Sequence, residues 1–155
     1  FTLFLYGEQG KEIWNQVKWW TDFYGTFNGA KSKTALYDSW TPDNPDATAP
    51  IQEAGQYVST SGVPNSYFVE DGSYMRVKNL LLGYTLAPRF LQQTGLQNLR
   101  VYVQAENVLT ITGYSGVDPE IGATSNAAAG TPNFGIDEGS YATPRTFTLG
   151  VNLSF

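Results

Sequence analysis

The stretch Arg145-Thr-Phe-Thr-Leu-Gly-Val-Asn-Leu-Ser-Phe155 decides the fold class of this chain. Side chains alternate strictly along a strand. Phe147, Leu149, Val151, Leu153 and Phe155 therefore form one face, and Thr146, Thr148, Gly150, Asn152 and Ser154 the other. One face is wholly apolar; the other is small and polar. The run from Phe147 to Phe155 spans about 26 Å at roughly 3.3 Å per residue. Tilted by about 40°, it covers about 20 Å of height, near the apolar band of an outer-membrane barrel. Half of a soluble sandwich core shows the same alternation, so this strand alone leaves two architectures open.

Three more stretches read as strands: about Phe1–Gly7, Tyr74–Leu86 and Leu99–Ile111. Leu99, Val101, Val103 and Ala105 alternate with Arg100, Tyr102, Gln104 and Glu106. In the Tyr74–Leu86 stretch, simple alternation puts Leu80, Leu82, Tyr84 and Leu86 on one face with Arg76 and Lys78. Such a band suits a strand leaving hydrocarbon for a polar leaflet. Gly83, Thr85 and Gly150, on the opposite faces, are small and suit a wet or plugged lumen. The connecting segments collect Gly, Pro, Asn, Asp and Ser, which form turns for distinct backbone reasons. Within them, Ile13, Val17 and Trp20 predict a short helix somewhere in Gly10–Phe23. About a dozen residues join Leu86 to Leu99, and far longer segments join the other pairs. Long structureless connections are unusual in compact domains but alternate with short turns in transmembrane barrels. Four strands cannot close a barrel, and lipid forbids open edges. A membrane sheet here must be part of a larger one.

Composition closes much of enzymology. The 155 residues carry 9 Lys and Arg against 14 Asp and Glu, a net charge of −5, the wrong sign for a nucleic-acid binder. Cysteine and histidine are both absent. That removes disulfides, thiolate metal sites, Ser-His-Asp and Cys-His nucleophile systems and His-ligated metals. Ten Tyr, nine Phe and four Trp accompany only 15% charged residues, an aromatic-heavy and charge-poor make-up for a soluble surface. No apolar run approaches the roughly 20 residues of a transmembrane helix. With Phe1 in first place and no signal-peptide pattern, the chain is expected to begin in mid-protein.

The second half then resembles a known family. Ser73-Tyr-Met-Arg-Val-Lys-Asn-Leu-Leu-Leu-Gly-Tyr-Thr-Leu86 is similar to the third-last strand of SusC/RagA-type TonB-dependent transporters of Bacteroidetes outer membranes. Leu99-Arg-Val-Tyr-Val-Gln-Ala-Glu-Asn-Val-Leu109, with its characteristic Asn107, resembles the next strand. Tyr114-Ser-Gly-Val-Asp-Pro-Glu120 resembles the family's Tyr-Ser-Gly-x-Asp-Pro-Glu loop. Gly135-Ile-Asp-Glu-Gly-Ser-Tyr141 and Pro144–Phe155 complete the order. Less specifically, Phe4–Asn15 looks like a Gly-x-x-Gly-x-x-Ile-[Tyr/Trp]-Asn strand end, and Trp40-Thr-Pro-Asp-Asn44 like the Trp-Thr-Pro-x-Asn loop.

The resemblance implies an all-β fold. Residues 1–155 would be the C-terminal segment, the last four antiparallel strands, of a 22-stranded transmembrane barrel. Barrels of that size hold a plugged lumen. Residues of about 8–73 and 112–144 would be extracellular and 87–98 periplasmic. The plug domain and the earlier strands would lie outside this sequence. The implied activity is TonB-dependent import of an oligosaccharide or peptide across the outer membrane, without catalysis and without a cofactor. The implied partners are the rest of the barrel and its plug, a SusD-like surface lipoprotein, TonB (through the plug region), the lipid bilayer and the glycan or peptide itself. Phe155, a terminal aromatic after an alternating strand, resembles the signal read by the barrel-assembly machinery. The competing reading is a soluble, secreted β-sandwich that binds carbohydrate through loop aromatics.

Several loop residues are candidate ligand or partner contacts: Trp40, Tyr114, Asp118, Glu120, Asp137 and Tyr141. Trp and Tyr are favoured at such surfaces, and Trp19, Trp20 and Tyr57 lie in the same segments. The bland alternative is that the aromatics pack the loops together and build the outer girdle. As a glycosidase pair, Asp118 and Glu120, with Asp137 and Glu138, would need a fixed carboxyl separation across a sugar, for which a flexible loop is poor support. These residues lack the Asp-x-[Asn/Asp]-x-[Asn/Asp]-Gly calcium pattern. Asp118 and Asp137 are expected to organise turns.

Overall fold

A computed structural model describes residues 1–55, 59–93, 95–121, 124–126, 131–133 and 135–155. Tyr57, one of the loop aromatics, lies outside them. The chain divides into two compact units. One comprises Phe1–Gln9, Tyr74–Thr112 and Thr143–Phe155; the other comprises Gly10–Ser73 and Gly113–Ala142.

The first unit is a sheet of β1 (Thr2–Glu8), β4 (Tyr74–Thr85), β5 (Asn98–Thr112) and β9 (Thr146–Ser154) in the order β1-β4-β5-β9. Every neighbouring pair is antiparallel. Each strand end falls within one residue of its sequence-based limit. Leu86 N–H donates to the Leu99 carbonyl at 2.9 Å and Gln97 N–H to the Ser154 carbonyl at 2.8 Å, so the ladder continues into the short connection. Pro88 opens a 3-10 turn there, Pro88–Phe90.

Two register shifts rearrange one face. Phe4 pairs with Asn79 but Leu5 with Val77, so β4 advances two residues while β1 advances one. Against β5, the same two residues of β4 match three, from Glu106 to Leu109. The extra stretch of β5 contains Asn107, at a φ of 53°, a left-handed conformation that Asn tolerates better than most residues. Its Nδ2 donates to the Pro144 carbonyl at 3.1 Å. Cross-strand partners share a face. Leu3 pairs with Leu80 and Leu5 with Val77, and Leu3 and Leu5 are two apart, so Leu80 and Val77 share a face as well. Simple alternation fails at Lys78. Arg76 does not stand with Leu80, as the sequence pattern predicted, but on the polar face, where its Nε donates to Thr110 Oγ1 at 2.8 Å. Val77 and Met75 take its place.

The corrected apolar face runs without a break across the sheet: Leu3 and Leu5; Val77, Leu80, Leu82 and Tyr84; Val101, Val103, Ala105 and Leu109; then Phe147, Leu149, Val151 and Leu153. Phe147 is 71% exposed and Leu149 73%. A soluble sandwich buries such a face under a second sheet; here most of its large side chains, Leu3, Leu5, Leu82, Val103, Phe147 and Leu149 among them, are exposed, which does not fit the sandwich reading.

The second unit has its own small three-stranded sheet. Here β2 (Glu12–Asn15) pairs antiparallel with β3 (Val69–Asp71) and parallel with β8 (Ile136–Asp137). Two five-residue helices, α1 (Val17–Thr21) and α2 (Lys33–Tyr37), accompany it. Ser32 caps α2 by accepting from Ala35 N–H at 3.1 Å, satisfying one of the orphan amides of the first turn. The same unit holds an antiparallel pair, β6 (Thr124–Asn126) with β7 (Thr131–Asn133), and 3-10 turns at Ser59–Gly62 and Ser66–Phe68. The helix predicted within Gly10–Phe23 is confined to α1. Ile13 is instead fully buried in β2, paired with Glu70. Pairing with distant strands overrides a weak local helical period.

Aromatic side chains fill this unit. The Phe68 ring lies 5.0 Å from Trp14, 5.6 Å from Phe23 and 5.8 Å from Tyr67, centroid to centroid. Offset and tilted aromatic pairs are worth roughly 0.5–1.5 kcal/mol each beyond the area they bury. The described residues of segments 8–73 and 112–144, read from sequence as long loops, thus build a core of their own.

Candidate functional site

In the second unit, Glu70 gathers three residues, Asn15, Lys18 and Ser115. Its Oε1 accepts from Ser115 Oγ at 2.7 Å and Asn15 Nδ2 at 2.9 Å, and pairs with Lys18 Nζ at 2.9 Å. Its Oε2 accepts from the Ser115 N–H at 3.0 Å. Strand β3 holds it next to Asn15 of β2, and α1 delivers Lys18. Burial presses the Glu70 carboxyl upward, but donation from Ser115, Lys18 and Asn15 outweighs that and holds it below the usual range. Lys18 also donates to the Tyr67 carbonyl at 3.1 Å and lies 4.6 Å from the Tyr67 ring centroid.

Two tyrosine–carboxylate pairs flank this cluster. Tyr67 Oη donates to Asp22 Oδ2 at 2.8 Å, and Tyr114 Oη donates to Asp137 Oδ2 at 2.7 Å. Burial first, and then the carboxylate acceptor, pushes both phenols far above their ordinary value. They stay protonated donors at any physiological pH. Asp137, only 2% exposed, also accepts from Gly139 N–H at 2.9 Å and Ser140 N–H at 3.0 Å through Oδ1. Asp118 Oδ1 accepts from Glu120 N–H at 2.9 Å. These are side-chain-to-backbone turns of the kind Asp favours. Lys11 Nζ ties the Asp118 turn to β2 by donating to the Pro119 carbonyl at 3.1 Å.

These groups surround a cavity of about 590 Å³ whose lining includes Asn15, Lys18, Asp22, Tyr67, Ser115 and Asp137. Its walls combine hydroxyls and charges that already satisfy one another, which is a scaffold more than a reactive centre. Among the described residues, no three acidic side chains converge as a metal cage. Trp40, 41% exposed, borders a second, more open depression of about 530 Å³ with Thr48, Ile51, Asn65 and Tyr67. Its backbone is fixed by Trp40 N–H donating to the Ala49 carbonyl at 2.9 Å. The Thr41–Asn44 turn follows, closed by Asn44 N–H donating to Thr41 Oγ1 at 3.1 Å.

The six loop candidates therefore separate. Tyr114, Asp118 and Asp137 are buried and occupied by contacts within the unit, while Trp40 and Tyr141 face outward, Tyr141 completely. Glu120 is half-buried. Sequence reasoning missed Glu70, Lys18, Tyr67 and Asp22. Glu70 meets partners 45 and 55 residues away, and no local spacing marks such a meeting.

No family model matches the chain. The chain is 42% identical over 130 residues to a TonB-dependent receptor of Formosa agariphila, covering 83% of this chain and 12% of that receptor. A second receptor of the same bacterium is 35% identical over 156 residues, covering 100% and 15%. The TonB-dependent receptor SusC of Bacteroides thetaiotaomicron is 33% identical over 103 residues, covering 65% and 8%. Among solved structures, the RagAB peptide importer in its closed-closed state superposes with a TM-score of 0.73 at 28% identity, covering 99% of this chain and 15% of the matched chain. This chain thus spans about an eighth to a seventh of the length of the Formosa receptors. The all-β, antiparallel arrangement is that of the matched importer chain. The relatives are receptors and an importer, not enzymes.

Proposed function

The chain belongs to the SusC/RagA-like TonB-dependent receptors, and on that footing we propose that it forms part of the wall and outer loops of an outer-membrane importer. The whole receptor is a 22-stranded barrel with a plugged lumen, and the chain is its C-terminal segment. The observation that carries this reading is the unbroken apolar face from Leu3 to Leu153, most of whose large side chains are exposed while the opposite face is mostly polar. In a bilayer the apolar face meets hydrocarbon, the open edges β1 and β9 pair with further strands, and the polar face lines the interior.

The aromatic-cored unit then stands outside the membrane, and residues 87–98 face the periplasm. A SusD-like surface lipoprotein covers the loops. TonB acts through the plug region, and the cargo is an oligosaccharide or a peptide. Import is gated passage driven from the inner membrane, with no bond-making step in these residues. Trp40, Glu120 and Tyr141 are the loop residues placed to meet cargo or lipoprotein. Tyr114, Asp118 and Asp137 hold the loops in the shape that presents them. Phe155 serves as the assembly signal.

The test is the denatured mass and fraction of the native polypeptide that contains Arg145–Phe155. A polypeptide several times the length of this chain, in the detergent-extracted outer membrane, is the expected result. A polypeptide of about this length in the soluble fraction contradicts it.

A further inference from the structure

The polar face of the four-stranded sheet carries a depression of about 260 Å³ lined by Leu81, Arg100, Tyr102, Gln104 and Asn152. Two glycines shape it. A β-carbon on Gly83 would stand 3.0 Å from Nε and Nη2 of Arg100, and one on Gly150 would stand 2.2 Å from the Tyr102 ring. Both large side chains therefore lie along the sheet, in space that any other residue at 83 or 150 would fill. The other charged groups of this face have partners. Arg76 donates to Thr110, Glu106 accepts from Gln104 Nε2 at 2.8 Å, and Glu8 accepts from Tyr6 Oη at 2.8 Å. The exposed Arg100 side chain has no hydrogen-bond or ionic partner among the described residues.

A guanidinium laid flat presents a planar fork of donors, the shape a carboxylate accepts in two parallel hydrogen bonds. The amides of Gln104 and Asn152 line the same hollow. We propose that Arg100 receives an Asp or Glu carboxylate from a segment of the same receptor, outside these residues, that packs against the polar face within the barrel. The proposal rests on the barrel reading above. Three observations select that occupant. The chain supplies only 15% of the matched importer chain's length, so what fills the interior comes from elsewhere in the receptor. The unpaired charge is positive, so its complement is acidic. Arg100 also stands on the face opposite Leu149 and Val151, so a lipid headgroup is not its partner.

The test replaces Arg100 with the photo-crosslinker p-benzoylphenylalanine in the full-length receptor and irradiates intact outer membranes. The expected adduct joins position 100 to a peptide of the same polypeptide outside this chain that contains Asp or Glu. An adduct confined to residues 74–155, or no adduct, overturns the proposal and leaves the barrel reading standing. An adduct to lipid overturns both, because it places residue 100 on the outer face. As a charge test, Arg100→Glu is expected to raise the rate of tryptic cleavage in the cross-linked segment by about tenfold or more, the loss of a hydrogen bond to a charged group. Arg100→Lys is expected to raise it less. Equal protection in wild type and Arg100→Glu contradicts a carboxylate partner.

Discussion

Tyr102 of β5 lies across Gly150 of β9, its register partner, so closely that a β-carbon on the glycine would stand 2.2 Å from the ring. No real contact is that short, so any side chain at 150 must push the tyrosine aside. Gly150→Ala is therefore expected to destabilise the full-length receptor by about 0.5–1.5 kcal/mol, the cost of displacing the tyrosine from its rotamer. Urea unfolding in detergent micelles measures it. Combining Gly150→Ala with Tyr102→Ala should recover part of the loss, and full additivity of the two changes would show that the ring and the glycine are not coupled.

The apolar face makes a sharper demand. Leu149 sits mid-strand beside Val103, and arginine there is expected to cost about 2–4 kcal/mol on a lipid-facing wall. Leu149→Arg should reduce assembled receptor in the outer membrane, while Thr148→Arg, one residue away on the polar face, should assemble. Equal levels of the two variants would contradict the assignment of faces.

Glu70 provides a pH dependence. Its carboxyl titrates lower in the folded unit than in the unfolded chain. Its contribution is therefore complete above the ordinary glutamate value of about 4.5 and is lost as pH falls through the lower, folded value. Hydrogen exchange of β2 and β3 amides in the intact receptor should accelerate in that acid window, over and above the intrinsic dependence of exchange on pH. Glu70→Gln should exchange faster at neutral pH and lose most of the extra acid response.

Phe155 stands 88% exposed just after β9, so removing it takes away little packing within this chain. Deleting Phe155 is nevertheless expected to lower the amount of receptor inserted in the outer membrane, as measured by surface labelling. Unchanged levels would remove its role in assembly.

The strands were readable because their information is local. Phe147 to Leu153 alternate whatever the rest of the chain does, and β9 forms where that pattern lies. What escaped sequence reading depends on pairing at a distance. Alternation through Arg76 and Lys78 is unbroken in sequence, yet the shifts against Phe4–Leu5 and Glu106–Leu109 move Arg76 to the polar face. Ile13, Val17 and Trp20 have helical spacing, but Ile13 is claimed by β3. The loop candidates show the same limit. Residue type brought Tyr114 and Asp137 to notice, but only the fold shows them bonded to each other and buried. Glu70, which binds the two long segments together, has no motif at all.

The central claim is that β9 crosses a bilayer with Phe147, Leu149, Val151 and Leu153 toward lipid. The direct measurement is a nitroxide scan of positions 147, 148, 149, 151, 152 and 153 in the full-length receptor in vesicles, reading collision with oxygen, which concentrates in hydrocarbon, against a water-soluble nickel chelate. The account predicts high oxygen accessibility at 147, 149, 151 and 153 and low at 148 and 152. The opposite phase, or equal exposure of both sets to the chelate, would contradict it.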